Sequence, residues 1–201
     1  IARSKGTNYV QVYRPDETNL ARHINTVKWV SRIDEALDNN SFELRCQPIV
    51  HVSGNNVAVH HSEVLLRVPD GSGKLISPVD LIMAAEHFRR MSNVDRWVIE
   101  HAFRWMADRR DRLDELGGLA INLSGASLNE EGLIDFVISQ SETHKIPMNK
   151  VCFEITETVG ISHLSSASEF INELKKQSGC AFSLDDFGSG KSSYAYLKIL
   201  P

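Results

Sequence analysis

Apolar residues along the chain recur first at helical and then at alternating spacing. The first helix is predicted by four residues at near-helical spacing before an Asn-Asn pair at 39–40, namely Val27, Val30, Ile33 and Leu37. Strands are predicted over 42–52 and 57–68, and the Ser-Gly-Asn-Asn segment between them is typical of the turn of an antiparallel hairpin. This part of the chain is therefore expected to form a helix followed by a hairpin.

After the hairpin, helical and strand patterns alternate. The predicted helices cover 77–88, 94–110, 128–142, 165–176 and 192–199. The predicted strands cover 119–123, 151–156 and 181–184. Repeated β-α units imply parallel strands, so the pattern predicts an α/β fold of five strands, the first antiparallel to the others. An open doubly wound sheet and an incomplete (β/α)8 barrel both agree with this pattern, although no G-x-G-x-x-G motif supports dinucleotide binding.

The composition excludes some classes of protein. The 201 residues carry 22 Lys and Arg against 26 Asp and Glu, a net charge of −4, which disfavours binding to duplex nucleic acid. No apolar run reaches the ~20 residues of a membrane span. We therefore expect no membrane contact by this segment and a cytoplasmic location, within a larger multidomain or membrane-anchored protein. Cys46, Cys152 and Cys180 each lie in an apolar stretch and are predicted to be reduced core cysteines.

Oxygen-bearing side chains fall at or near the carboxyl ends of four successive predicted strands. They are Glu63, Asn122, Glu154 and the pair Asp185 and Asp186. Each has an ordinary structural explanation when taken alone, such as a solvated carboxylate or a turn-forming residue. In barrel enzymes, however, residues from the same end of several strands build the active site. Carboxylate and amide oxygens suit Mg²⁺, Mn²⁺ or Ca²⁺, so the ordered set favours a hard-cation site.

The same residues lie in motifs that resemble the EAL domain family over about residues 27–201. The motifs, in chain order, are Gln-Pro-Ile at 47–49, Glu-Val-Leu-Leu-Arg at 63–67, Asn-Leu-Ser at 122–124, Glu-Ile-Thr-Glu at 154–157 and Asp-Asp-Phe-Gly-Ser-Gly at 185–190. Val64 stands where the family signature has Ala. The resemblance implies a modified TIM (β/α)8 barrel with an antiparallel first strand, of which strands 1–5 are present. It also implies a cyclic di-GMP phosphodiesterase that forms the linear dinucleotide pGpG.

The resemblance further implies a role for each matched residue. The ligands of the first Mg²⁺ or Mn²⁺ ion are then Glu63, Asn122, Glu154 and Asp185, and Asp186 binds a second ion. The residues that contact substrate are Gln47, Glu63, Leu66, Arg67, Asn122 and Asp185. Arg67 holds a substrate phosphate, since its planar fork donates two parallel hydrogen bonds, and Leu66 lines the guanine–ribose region. Glu157 steadies the loop 186–193, which couples metal binding to formation of a homodimer. Lys191 departs from the residues that the family often has in this loop.

Two domains are expected along the chain. Residues 1–22 resemble the last strand of a GGDEF (diguanylate cyclase) domain followed by a linker, and residues 23–201 are the N-terminal part of an EAL domain. The resemblance places the family's strand-six lysine and the glutamate that acts on water beyond Pro201, so the catalytic base is expected outside this sequence. The 201-residue piece alone is therefore expected to be inactive and to associate through the edge of its fifth strand. Activity is expected of the intact parent protein.

Two other functions remain open on the sequence. In one, the protein is a cyclic di-GMP receptor whose catalysis has decayed, although every family metal ligand visible here is retained. In the other, it is an unrelated metal-dependent barrel such as an enolase-type lyase. That class calls for lysine bases on the second strand, where Arg67 is the only Lys or Arg.

Overall fold

The computed structural model describes residues 29–53, 56–69, 75–113, 115, 117–157, 159, 164–186 and 200–201. Several predictions therefore lie wholly or partly outside the described residues. They are the GGDEF-like tail at 1–22, the start of the first helix, the turn at 54–55, the loop 186–193 with Lys191, and the helix at 192–199.

The described strands form one sheet. They are β1 (Glu43–Ser53), β2 (Asn56–Pro69), β3 (Leu75–Ile76), β4 (Leu119–Asn122), β5 (Val151–Thr156) and β6 (Ala181–Asp185). The strand order is β1-β2-β4-β5-β6, and the two-residue β3 pairs antiparallel with the end of β2. β1 is antiparallel to β2, whereas β2, β4, β5 and β6 run parallel. The predicted α/β class with an antiparallel first strand is thus confirmed, and β3 is an addition that was too short to predict.

Helices occupy the segments between the strands. Residues 29–38 are helical (α1), and the later helices are α2 (Val79–His87), α3 (Met91–Asp108), α4 (Leu133–His144) and α5 (Leu164–Ser178). Short 3-10 helices lie at Arg110–Arg112, Ser127–Asn129 and Met148–Lys150. No helix among these combines the length and the apolar character needed to cross a bilayer.

Helix α4 begins well after its predicted start. The pattern placed a helix over 128–142, but α4 starts at Leu133, and Ser127–Asn129 forms a separate 3-10 turn. The break has a backbone cause, since Gly132 precedes the helix with a φ of 79°, a left-handed conformation that an α-helix does not contain. The apolar Leu128 is nonetheless buried, which explains why it resembled part of the helical stripe.

The core lies between the helices and one face of the sheet. In β5 the side chains alternate, so that Val151, Phe153 and Ile155 are buried while the residues between them are half-buried. Helix α5 presents its own buried stripe at i, i+3, i+4 and i+7, namely Ala167, Phe170, Ile171 and Leu174. The opposite face of the sheet is the one available for a site.

The three cysteines differ in their exposure. All are free thiols, with Cys180 buried, Cys152 half-buried and Cys46 exposed. The prediction of a core cysteine is therefore wrong for Cys46. The reason is its place on β1, which lies at one end of the described strand order, where residues 45–51 are exposed.

Candidate functional site

The strand register brings most of the predicted site residues to one face of the sheet. Gln47 lies opposite Glu63, Glu63 pairs with Ala120, Asn122 pairs with Glu154, and Thr156 pairs with Asp185. Alternate residues of a strand share a face. One face, called here the polar face, therefore carries Gln47, Glu63, Arg67, Asn122, Glu154 and Asp185.

Hydrogen bonds join the polar side chains of neighbouring strands. Asn122 Nδ2 donates to Glu63 Oε1 at 2.9 Å, a contact between β4 and β2. Ser183 Oγ donates to Glu154 Oε1 at 2.8 Å, a contact between β6 and β5. These bonds show that the polar face is an ordered surface and not a set of independent solvated groups.

The carboxylates of the polar face influence one another. Burial raises the pKa of Glu154 above the ordinary value for a glutamate. The hydrogen bond from Ser183 opposes that change, the negative charges of Glu63 and Asp185 raise the pKa further, and His61 lowers it. Three acidic groups from three strands thus lie near enough to repel, and a positive charge among them would lower the free energy of their ionised forms.

The donor set fits a divalent cation by its chemistry. Carboxylate oxygens from Glu63, Glu154 and Asp185 and an amide group from Asn122 are hard donors of the kind that Mg²⁺ and Mn²⁺ bind. Within the described residues, however, no three His, Cys, Asp or Glu side chains are gathered closely enough to hold an ion as they stand. Carboxylates repel one another, so they stay apart unless a positive charge compensates them. The residues present therefore fit a divalent cation, because they carry hard donors and lie on one face of the sheet.

A cleft opens beside the polar face at the carboxyl ends of β2, β4 and β5. Its volume is about 410 Å³, and its lining includes Arg67, Asn122 and Ser124 together with apolar residues of α2 such as Val79 and Ile82. A cleft that combines apolar walls with the positive charge of Arg67 suits a ligand in which an apolar ring is joined to an anionic group.

A larger groove lies elsewhere, between α4 and α5. It has a volume of about 790 Å³, and the acidic residues in its lining are Glu130, Glu131, Asp135, Glu169 and Glu173. These charges would repel an anionic ligand. The smaller cleft also has two acidic lining residues, Glu86 and Asp95, but it contains Arg67, whereas no Lys or Arg lines the groove. For an anionic ligand, the cleft is therefore the better candidate.

Comparison with known proteins decides the family. Residues 30–201 match the family model described as EAL domain. The chain belongs to the EAL domain family. It is 38% identical over its whole length to "Cyclic di-GMP phosphodiesterase PdeB" of Shewanella oneidensis, of which it covers 23%. Over 86% of its length it is 34% identical to "Cyclic di-GMP phosphodiesterase PdeF" of Escherichia coli, of which it covers 22%.

A solved structure gives the same family. The EAL domain of FimX from Pseudomonas aeruginosa, bound to c-di-GMP, matches 86% of this chain and 67% of that chain at 27% identity, with a TM-score of 0.75. This confirms the EAL, TIM-barrel-like fold expected from the motifs. The chain spans less than a quarter of the length of the curated relatives named above.

Three predicted site residues of this EAL domain are not in the set on the polar face, namely Leu66, Glu157 and Asp186. Leu66 faces away from the polar face and packs against the core, yet it also lines the cleft. Arg67 donates from Nη1 to the carbonyl oxygen of Leu66 at 2.8 Å, which uses one of its five N–H donors. Glu157 follows β5 directly and is 1% exposed. Asp186 follows β6 with a φ of 55°, and its N–H donates to Asp185 Oδ1 at 2.8 Å.

Asp95, a carboxylate of the EAL domain that is only 4% exposed, is not among the residues that the sequence motifs indicate. Asp95 Oδ2 accepts from the Ser124 N–H at 2.9 Å and from Ser127 Oγ at 2.6 Å. It therefore ties α3 to the segment that follows Asn122. Burial raises the pKa of Asp95, the bonds from the two serines oppose the change, and the charge of Glu130 adds to it. An acidic residue within the buried stripe of α3 was the signal that could have revealed it.

Proposed function

We propose that the full-length protein hydrolyses cyclic di-GMP to pGpG in a reaction that depends on Mg²⁺ or Mn²⁺. The observation that carries the proposal is the single polar face, on which the register gathers Glu63, Asn122, Glu154 and Asp185. Membership of the EAL domain family and two relatives named cyclic di-GMP phosphodiesterase support the choice of substrate.

Under this proposal the first ion would be held on the polar face by Glu63, Asn122, Glu154 and Asp185. Asp186, which follows β6, would bind the second ion. Bound divalent cations neutralise a phosphodiester, lower the pKa of a bound water and stabilise the departing oxygen. The raised pKa of Glu154 supports the assignment, because it reflects mutual repulsion among carboxylates in addition to burial.

The chain's other site residues bind and orient the substrate. Arg67 donates two parallel hydrogen bonds to one phosphate, and Leu66 packs against the adjoining guanine–ribose unit at the cleft. Gln47, exposed opposite Glu63, contacts the nucleotide from β1. Three of the ion-binding residues also contact the substrate, at the phosphate that they help to position. They are Glu63, Asn122 and Asp185. Glu157, buried after β5, steadies the loop that follows β6.

Three further elements of the proposal concern the protein's setting. The protein forms a homodimer coupled to the loop at 186–193, which is described only at Asp186. The reaction takes place in the cytoplasm, without membrane contact by this segment. Residues 1–22 belong to a GGDEF-like domain and residues 23–201 to the EAL domain. These statements rest on the family resemblance.

The experiment incubates the full-length protein with cyclic di-GMP and Mn²⁺, with and without a chelator, and identifies the products by chromatography and mass spectrometry. The expected result is chelator-sensitive formation of pGpG. Binding of cyclic di-GMP without turnover, in either Mg²⁺ or Mn²⁺, would contradict hydrolysis and identify a receptor instead. Because the FimX EAL domain was solved with c-di-GMP bound, the binding measurement belongs in the same experiment.

A further inference from the structure

Ser183 lies beside Glu154 on the neighbouring strand of the polar face. The β5–β6 register pairs the two residues directly, and Ser183 Oγ is 2.8 Å from Glu154 Oε1. An ionised carboxylate only accepts hydrogen bonds, so the hydroxyl is the donor. A hydrogen bond to a charged acceptor is stronger than one between neutral groups. The bond therefore fixes one named oxygen of Glu154 against β6.

A second side chain orients the hydroxyl of Ser183. Cys152 Sγ donates to Ser183 Oγ at 3.5 Å, the shorter of its two contacts, the other being with the carbonyl oxygen of Phe153 at 3.9 Å. Cys152 is two residues before Glu154 on β5, so it shares the polar face. Ser183 thus donates a hydrogen bond to Glu154 and accepts one from Cys152, so the three side chains form a short hydrogen-bonded chain. The thiol is a weak donor, so we expect Cys152 to contribute less than Ser183.

The orientation of a carboxylate in a cation site depends on such partners. The last torsion of a glutamate side chain is broad, so its two oxygens are not held by rotamer preference alone. Hydrogen-bonding partners outside the ligand set orient ligands and tune cation affinity. Glu154 is half-buried between β4 and β6, and its bond to Ser183 is set by the strand register. This makes the hydroxyl a fixed support for the carboxylate.

We infer that Ser183 is a positioning residue, which holds Glu154 Oε1 so that Glu154 Oε2 is presented to a divalent cation. The inference rests on the proposed function, because it takes Glu154 as a cation ligand. Ser183 acts through Glu154 and touches neither the cation nor the substrate.

The test uses three variants of the full-length protein. Ser183→Ala removes the hydroxyl and Ser183→Thr keeps it. Ser141→Ala is the matched control, because Ser141 Oγ donates to the carbonyl oxygen of Ile138 at 2.8 Å within α4, away from the polar face. Mn²⁺ binding is measured by calorimetry, together with the Mn²⁺ concentration that gives half-maximal hydrolysis of cyclic di-GMP. We expect Ser183→Ala to weaken Mn²⁺ binding about tenfold, and the other two variants to match the wild type.

The outcomes separate this inference from the proposed function. Wild-type Mn²⁺ affinity in Ser183→Ala, or failure of Ser183→Thr to restore it, would overturn the inference. A lower Tm for Ser183→Ala with unchanged Mn²⁺ dependence would do the same, since it shows a structural role alone. If the wild type binds Mn²⁺ without hydrolysing cyclic di-GMP, the proposed function fails while the calorimetry still decides the role of Ser183. If the wild type binds no Mn²⁺, both fail.

Discussion

Asn122 and Glu63 are 59 residues apart in the chain, yet Asn122 Nδ2 donates to Glu63 Oε1 at 2.9 Å. The contact joins β4 to β2, which are parallel neighbours in the sheet. It is formed by two of the residues that the proposed function assigns to one cation. Parallel strands brought together by helical crossovers place the same end of each strand at one edge, and this is how residues distant in sequence can form one site.

Arg67 is expected to control substrate affinity. Replacing it with Lys keeps the charge and removes the planar fork, so we expect KM for cyclic di-GMP to rise about tenfold, with a smaller change in kcat. Steady-state kinetics of the full-length protein measures both constants. Arg104→Lys is the matched control, because Arg104 is exposed on α3 and pairs with Glu100. An unchanged KM for Arg67→Lys would contradict phosphate binding by this residue.

Asp95 is expected to make stability depend on pH. Its pKa is raised by folding, so the unfolded chain ionises first as the pH rises. The contribution of Asp95 to the free energy of unfolding is therefore complete below the ordinary aspartate pKa, and it is lost as the pH passes through the raised value. Asp95→Asn keeps an oxygen acceptor for Ser124 and Ser127 and cannot ionise.

Denaturant unfolding of both proteins at several pH values checks this expectation. Wild type should lose stability relative to Asp95→Asn as the pH rises from below the ordinary aspartate pKa. A difference between the two that is the same at every pH would show that Asp95 is not shifted in the direction expected.

Gly118 is expected to tolerate no side chain. Its φ is 146°, and an added Cβ would lie 2.8 Å from the carbonyl oxygen of Lys150. Gly118→Ala should lower the free energy of unfolding by about 3 kcal/mol, from strain and overpacking together. Gly179 also has a positive φ, 75°, but open space around it, so Gly179→Ala should cost about 1 kcal/mol. Equal losses in equilibrium denaturation would show that the contact with Lys150 is unimportant.

The fold was predictable where one physical signal dominated. The alternation in β5 gave its bounds, 151–156, without error, because every second residue is buried. The α4 boundary was not predictable from apolar spacing, since Leu128 is buried in a 3-10 turn and Gly132 breaks the helix by its backbone conformation. The exposure of Cys46 depends on which strand lies at the end of the sheet, which local sequence does not reveal.

The sequence predicted the residues on the polar face of the candidate site, but it did not predict the side chains that hydrogen-bond around them. Glu63, Asn122 and Glu154 belong to motifs on neighbouring parallel strands, so their place on one face of the sheet followed from topology. Ser183 and Asp95 carry no such motif. Their roles depend on strand register and on burial in α3, which only the folded chain defines.

The rate of cyclic di-GMP hydrolysis by Glu63→Gln full-length protein, in Mn²⁺, tests the central claim most directly. The change removes one negative donor from the polar face and keeps the shape and the acceptor for Asn122. Losing about 3 kcal/mol of charge stabilisation predicts a rate about 100-fold lower. Glu115→Gln, at an exposed site paired with Arg112, should retain the wild-type rate. A wild-type rate for Glu63→Gln would contradict a cation-dependent phosphodiesterase built on this face.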